Sequence, residues 1–296
     1  MKKLLSLFCA LMLVCASASS ASAARQRRSR PVTSGDYEYM VQDDGTAMIT
    51  RFTGSPAELA VPAELDGVPV ASIDYSVFYN IRGLTSVSIP GSVRLIGESA
   101  FFRCADLASV SMQDGVTSIS ERAFGDCTSL TEIVLPDSVV FIGENAFDGC
   151  SALASFSIPY GVTVISNGTF ASCSSLASVF IPDSVTLIDE NAFFDCDALT
   201  AVSIPGAVDY IATYAFDDCD GLVSVSIADG VASIRSKAFY SCDVLASVSI
   251  PASVTAIASD AFAYCPELTV TVPRDSYAEQ WCKENNCRFI YADAAD

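Results

Sequence analysis

Apolar side chains recur along this chain with a fixed step. From Cys104 to Cys265 a cysteine falls every 23 residues without a slip, a phenylalanine from Phe101 to Phe262 keeps the step three positions earlier, and an isoleucine column runs from Ile96 to Ile257. One unit is being copied, with a consensus close to L-x-S-V-S-I-P-x-S-V-x-x-I-x-x-x-A-F-x-x-C-x-x. A degenerate leading copy places Ile73, Phe78 and Ile81 in the isoleucine, phenylalanine and cysteine positions, which makes about nine units.

Within a unit, Leu84, Val87 and Ile89 alternate with polar residues and Pro90 ends the run, the pattern of a short strand followed by a turn. A second extended piece is predicted around Val93 and Ile96, and a single helical or 3₁₀ turn from Ala100 to Cys104. No unit is large enough to bury its own apolar face. Stacking the units lays like residue on like at a strand spacing of about 4.8 Å, which predicts a parallel, β-rich repeat solenoid.

The L-x-x-V-x-I-P and A-F-x-x-C pattern resembles the BspA-like, or treponemal-type, leucine-rich repeats, over about Val61 to Pro273. The flanks are similar as well. Tyr37 to Phe52, with Asp43-Asp44-Gly45 at its centre, resembles the opening hairpin of such arrays, and Ser276-Tyr277-Ala278-Glu279 the closing helix. The resemblance implies a right-handed leucine-rich-repeat solenoid over 61–273, with an N-terminal cap hairpin over 35–60 and a short C-terminal helical cap over 274–296. It also implies a bacterial surface or secreted protein whose partners are host matrix or serum proteins or other cell-surface proteins.

Residues 1–23 read as an export signal: Lys2 and Lys3, an apolar run from Leu4 to Ala16, and small residues ending in Ala21-Ser22-Ala23. The run is shorter than the roughly 20 residues a membrane span needs, and no second one follows, so no transmembrane segment is expected. Phe8 before Cys9 and Val14 before Cys15 are too large for a lipoprotein signal. A secreted or cell-surface location is expected, with a basic flexible segment over 24–34 that carries Arg25, Arg27, Arg28 and Arg30. The chain holds 16 basic and 35 acidic residues, a net charge of -19. Such a surface repels phosphate backbones, so nucleic acid is excluded as a partner.

Catalytic chemistry has little to work with. Histidine is absent, which removes the commonest general base and the commonest metal ligand. Asp126, Asp148, Asp195, Asp217 and Asp218 occupy the polar turns between phenylalanine and cysteine, where a solvated rim is expected. No metal and no cofactor are predicted. Stacked cysteines would keep Cβ atoms about 4.8 Å apart, beyond the ~3.8 Å a disulfide prefers, so the ladder reads as buried free thiols that pack as small hydrophobes. Cys282 and Cys287, five apart in the terminal segment, leave two readings open: a local disulfide pinning the cap, or two thiols packed on the last repeat.

The outward strand positions carry two serine rows, from Ser86 to Ser247 and from Ser88 to Ser249. They suit an extended partner, and they equally keep a strand soluble. Departures from serine single out Val134 and Phe180 in one row, with Ser157 between them, and Glu132 in the other. Two strand steps separate Val134 from Phe180 by roughly 10 Å, so these residues with Ser155, Ser157 and Ser178 form the candidate binding site, unless a neighbouring aromatic or loop covers it. The expected function is a monomeric, non-catalytic binding scaffold. A polysaccharide or cell-wall module is the alternative, and a carboxylate-based hydrolase ranks below both.

Overall fold

A computed structural model describes residues 30–294. The expected signal peptide over 1–23 and the arginines Arg25, Arg27 and Arg28 lie outside the described residues. The chain winds into a parallel solenoid of about eleven turns. Each regular turn contributes two short strands, such as Ser109–Met112 and Ser118–Ile119. Register is like on like: Ser86 pairs with Ser109, Val87 with Val110, Ser88 with Ser111. The 23-residue step is therefore the advance from one turn to the next.

Two turns exceed the nine units counted from the period, because both caps add a strand to the serine face. Glu58–Ala60 pairs in parallel with Ser86–Ile89, and Arg288–Tyr291 with Thr269–Val272. Part of the segment expected to be flexible over 24–34 is ordered in the described residues. Val32–Ser34 form a strand antiparallel to Tyr37–Val41, helped by the β-branched Val32 and Thr33 and by a hydrogen bond from Ser34 Oγ to Asp66 Oδ1 (2.8 Å).

The single helical or 3₁₀ turn predicted for Ala100–Cys104 appears as successive separate i→i+3 turns, with Phe102 N–H bonded to Ser99 O (3.0 Å) and Cys104 N–H to Phe101 O (3.1 Å). Ser99 and Arg103 adopt left-handed φ of 55° and 62°, a conformation that interrupts any right-handed helix. The freed backbone groups bond to the next turn instead, Phe101 N–H to Ala123 O (2.8 Å) and Arg103 N–H to Gly125 O (2.9 Å). All sides of the coil are thus tied to the turns above and below.

Inside, the phenylalanine column is a continuous stack of rings from Phe78 to Phe262. Centroids lie 4.9–5.7 Å apart and successive planes tilt by only 1–12°. Phe52 closes one end at 5.2 Å and Trp281 the other at 5.8 Å, both inclined to the stack. The cysteine ladder packs beside it as free thiols, and it does more than fill space. Each Sγ donates to the phenylalanine carbonyl 26 residues earlier, as in Cys127 to Phe101 O (3.3 Å) and Cys150 to Phe124 O (3.2 Å). Cys265, at the end of the ladder, is lowered by Cys242 beside it, whereas burial raises the thiols from Cys104 (to about 11) through Cys127 and Cys173. These thiols stay protonated donors at neutral pH and are poor nucleophiles.

The C-terminal helix, Tyr277–Glu284, begins with Ser276 Oγ accepting from Glu279 N–H (3.2 Å). Glu279 in turn accepts from Asp275 N–H (2.7 Å), Lys283 and Tyr291 Oη (2.8 Å). The Lys283 contact, followed by those from Tyr291 and Asp275, holds the Glu279 carboxyl at about 2.

Two outcomes follow from this packing. Phe147→Ala should cost about 3–5 kcal/mol and Cys150→Ala about 1–3, while Ser155→Ala stays within about 0.5; denaturant midpoints measure all three, and added reductant should not reproduce the Cys150→Ala loss. Because the Glu279 pKa is depressed in the fold, its stabilisation is present above the ordinary value of 4.5 and is lost as pH falls from there toward 2. Trp281 is the single tryptophan, so its fluorescence should report the cap loosening in that window, and Glu279→Gln should remove the dependence.

Candidate functional site

The strand face is not one unbroken ladder. It divides into a four-stranded, a two-stranded and a five-stranded sheet. The first break separates Glu132–Val134 from Ser155–Ser157. There Phe156 fills an inward position held by valine, isoleucine or leucine in the other strands up to Val270. Its ring wedges between Phe147 and Phe170, with centroids at 5.1 and 4.6 Å. The extra volume sits where the ladder opens.

Outside that break lies a groove of about 230 Å³, lined by Glu132, Val134, Asp137, Ser155, Ser157 and Tyr160 among others. Val134 and Tyr160 are 68% and 69% exposed and Phe180 is 48% exposed. Tyr160 meets Phe180 edge-on at 5.9 Å, and Ser157 is the strand partner of Phe180, as Ser155 is of Ser178. The predicted residues therefore gather around one feature that the strand rows did not reveal, the Tyr160 ring. Tyr160 follows the turn proline Pro159, in a column otherwise filled by Gly91, Asp114, Asp137, Asp183, Gly206, Asp229 and Ala252. That departure was the available signal. Gly161 makes the turn possible, since a Cβ there would stand 2.9 Å from Val140 Cγ1 and 3.0 Å from Val139 O. The exposed Val140 and Phe141 continue the apolar surface around the edge.

Elsewhere the acidic turns are less uniformly solvated than a rim. Asp148 and Asp217 are half-buried, and burial followed by repulsion from a neighbouring aspartate raises both, Asp217 to about 6. Among the described residues no three histidine, cysteine, aspartate or glutamate side chains cluster closely enough to hold a metal ion. No described helix is long and apolar enough to cross a membrane.

A model of the BspA-type leucine-rich repeat region matches residues 71–200 and 186–279, with six copies. The chain belongs to the BspA-type leucine-rich-repeat family. Among solved structures it is similar to a leucine-rich cell surface protein from Faecalibacterium prausnitzii, with 35% identity and a TM-score of 0.67 over 82% of this chain and 76% of that one. A leucine-rich repeat protein from Bacteroides ovatus shares 27% identity, with a TM-score of 0.66 over 81% and 70% of the two chains. One from T. pallidum, at 24% identity and a TM-score of 0.53, shares the fold over 88% of this chain and 98% of its own. No curated protein matches. BspA-type repeats form non-catalytic scaffolds for protein interaction, and in this one the departures from its own consensus mark the surface to be tested.

Inward and outward aromatics of adjacent strands should respond differently. Phe156→Ala should cost about 3–5 kcal/mol. Phe180→Ser loses only an exposed ring contact and should shift stability by at most about 1 kcal/mol, as read from denaturant midpoints of the two variants.

Proposed function

We propose that the chain is an exported, non-catalytic adhesion or interaction protein that anchors a protein partner on its strand face through Val134, Tyr160 and Phe180. The observation that carries this reading is the contiguity of the three exposed side chains on a face built largely of serine. Aromatic anchors dominate binding energy where they are exposed in the free protein and buried in the complex. Glu132, Ser155, Ser157 and Ser178 surround the anchor and supply polar contacts. Export is supported by the pattern of residues 1–23 and by the similarity to a protein described as a cell surface protein. The apolar centre is small beside the ~800 Å² per partner of an ordinary interface, so the serine rows must extend it.

Glycan binding is the second reading. Tyr240 and Tyr264 meet edge-on at 5.0 Å, and Lys237 donates to Tyr214 Oη (3.1 Å) while facing the rings of Tyr214 and Tyr240 at 5.1 Å each. One experiment separates the two. The mature chain is screened against matrix and serum proteins and a glycan array, then Phe180→Ser, Tyr160→Asp and Tyr264→Ser are compared on whatever binds. Loss of at least tenfold in affinity for a protein with Phe180→Ser or Tyr160→Asp is the expected result; unchanged affinity in both moves the site elsewhere.

Export also bears on the cap cysteines. The helix ends before Cys287, Cys287 N–H bonds to Cys282 O (2.9 Å), and the neighbouring Cys282 thiol lowers the Cys287 pKa. In an oxidising compartment this pair closes to a disulfide. Protein purified from its native exported location should have Cys282 and Cys287 protected from alkylation until reductant is added, whereas Cys150 should resist alkylation until the protein is unfolded.

A further inference from the structure

A second, wider groove lies on the four-stranded part of the strand face, next to the anchor. It measures about 800 Å³ and spans the strands Glu58–Ala60, Ser86–Ile89, Ser109–Met112 and Glu132–Val134. The register of these strands places two rows across it. One reads Glu58, Ser86, Ser109, Glu132 and the other Ala60, Ser88, Ser111, Val134. A polar floor of four serines is thus bracketed by a carboxylate at each end of one row and by a small apolar side chain at each end of the other. Asp114 lines the groove as well, and no lysine or arginine does. Among the described ion pairs none engages Glu58, Asp114 or Glu132.

Three strand steps of about 4.8 Å put the Glu58 and Glu132 positions about 14 Å apart. That is too far for one cation to be held by both, and no metal cluster forms here among the described residues. A partner that neutralises both must therefore carry two separate positive charges. An extended polypeptide advances about 3.4 Å per residue and returns its side chains to one face every second residue, so positions i and i+4 span this distance on the same side. Between them the serine hydroxyls meet backbone N–H and C=O groups, which a polymethylene chain lacks.

We propose that this groove binds an extended polypeptide segment lying along the solenoid axis, with basic residues at i and i+4 and a small polar residue at i+2. The proposal rests on the reading of the strand face as the binding surface and adds the chemistry of the partner. Val134 and Glu132 line both this groove and the smaller one beside Tyr160, so a segment seated here runs on to the aromatic anchor.

The test uses the mature chain and a blocked peptide, Gly-Arg-Gly-Ser-Gly-Arg-Gly, followed by NMR or calorimetry at low salt. Glu58→Gln and Glu132→Gln should each weaken binding about two- to fivefold and the double variant about tenfold, as expected for exposed charge contacts. Glu190→Gln, an exposed acid outside the groove, should leave it unchanged, and raising the salt should weaken it. A peptide with its arginines two residues apart keeps one charge contact and should bind about two- to fivefold more weakly than the matched peptide, as each single variant does. Equal binding by both peptides, unchanged binding by the double variant, no binding of the matched peptide at all, or equal competition by a linear diamine of the same span would each overturn the proposal. Such a failure leaves the anchor at Tyr160 and Phe180 to be judged separately, on its own protein partner.

Discussion

Hydrogen bonding between backbones fixes the rise from one turn to the next at about 4.8 Å, and the remaining architecture follows from that spacing. At this rise a side chain has its own counterpart as its nearest neighbour above and below. The residue chosen for an inward column must therefore pack well against itself. Phenylalanine does so as an offset stack, at 4.9–5.7 Å between centroids. Cysteine does so because its small thiol both fits the column and finds an acceptor, the carbonyl of the phenylalanine one turn and three residues back. That carbonyl also receives a backbone N–H, as Phe124 O does from Cys127. The cysteine column is thus a hydrogen-bonded seam along the ring stack, and a disulfide between neighbours would remove the donors that make it.

A stack of identical turns has no natural end, and each exposed end would leave a ring and a strand edge open. Phe52, carried by the opening hairpin and backed by Tyr37 at 4.9 Å, covers Phe78. Trp281, carried by the closing helix, covers Phe262. Both lie inclined to the stack, which halts the repeat of parallel rings. The final strand, Arg288–Tyr291, covers Thr269–Val272 and places the charged Arg288 on the face, a feature that discourages further strand addition.

Much of this was legible in the sequence because the constraint is periodic. The phenylalanine, isoleucine and cysteine columns, the parallel solenoid and the outward placement of Val134, Phe180 and Glu132 all follow from counting by 23. What breaks the count was hidden. Glu58 precedes Ser86 by 28 residues, so an insertion conceals its membership of the serine row. Arg288 follows Thr269 by 19, and a helix lies between them. Ser99 and Arg103 share their columns with Asn80, Asn145, Gly149, Gly168 and Asn191, so the left-handed turns are signalled by the columns and not by any one unit. Tyr160 lies in the turn column, which varies among glycine, aspartate and alanine, and so stands outside the serine rows that mark Val134 and Phe180.

Outward positions are free of the self-packing rule, so they can change one turn at a time without loss of the core. This makes any cluster of outward departures informative. Val134, Val140, Phe141, Tyr160 and Phe180 fall within three successive turns. Directly beneath them Phe156 makes the one aromatic departure in the inward strand column before the last strand. The inner and outer changes are neighbours in space. The Phe156 ring lies beside the interruption of the ladder between Glu132–Val134 and Ser155–Ser157, and the groove that Val134 and Tyr160 line lies outside it. A periodic solenoid thereby carries a distinct place on its surface, lying where the side-chain volume of its core also departs from the repeat.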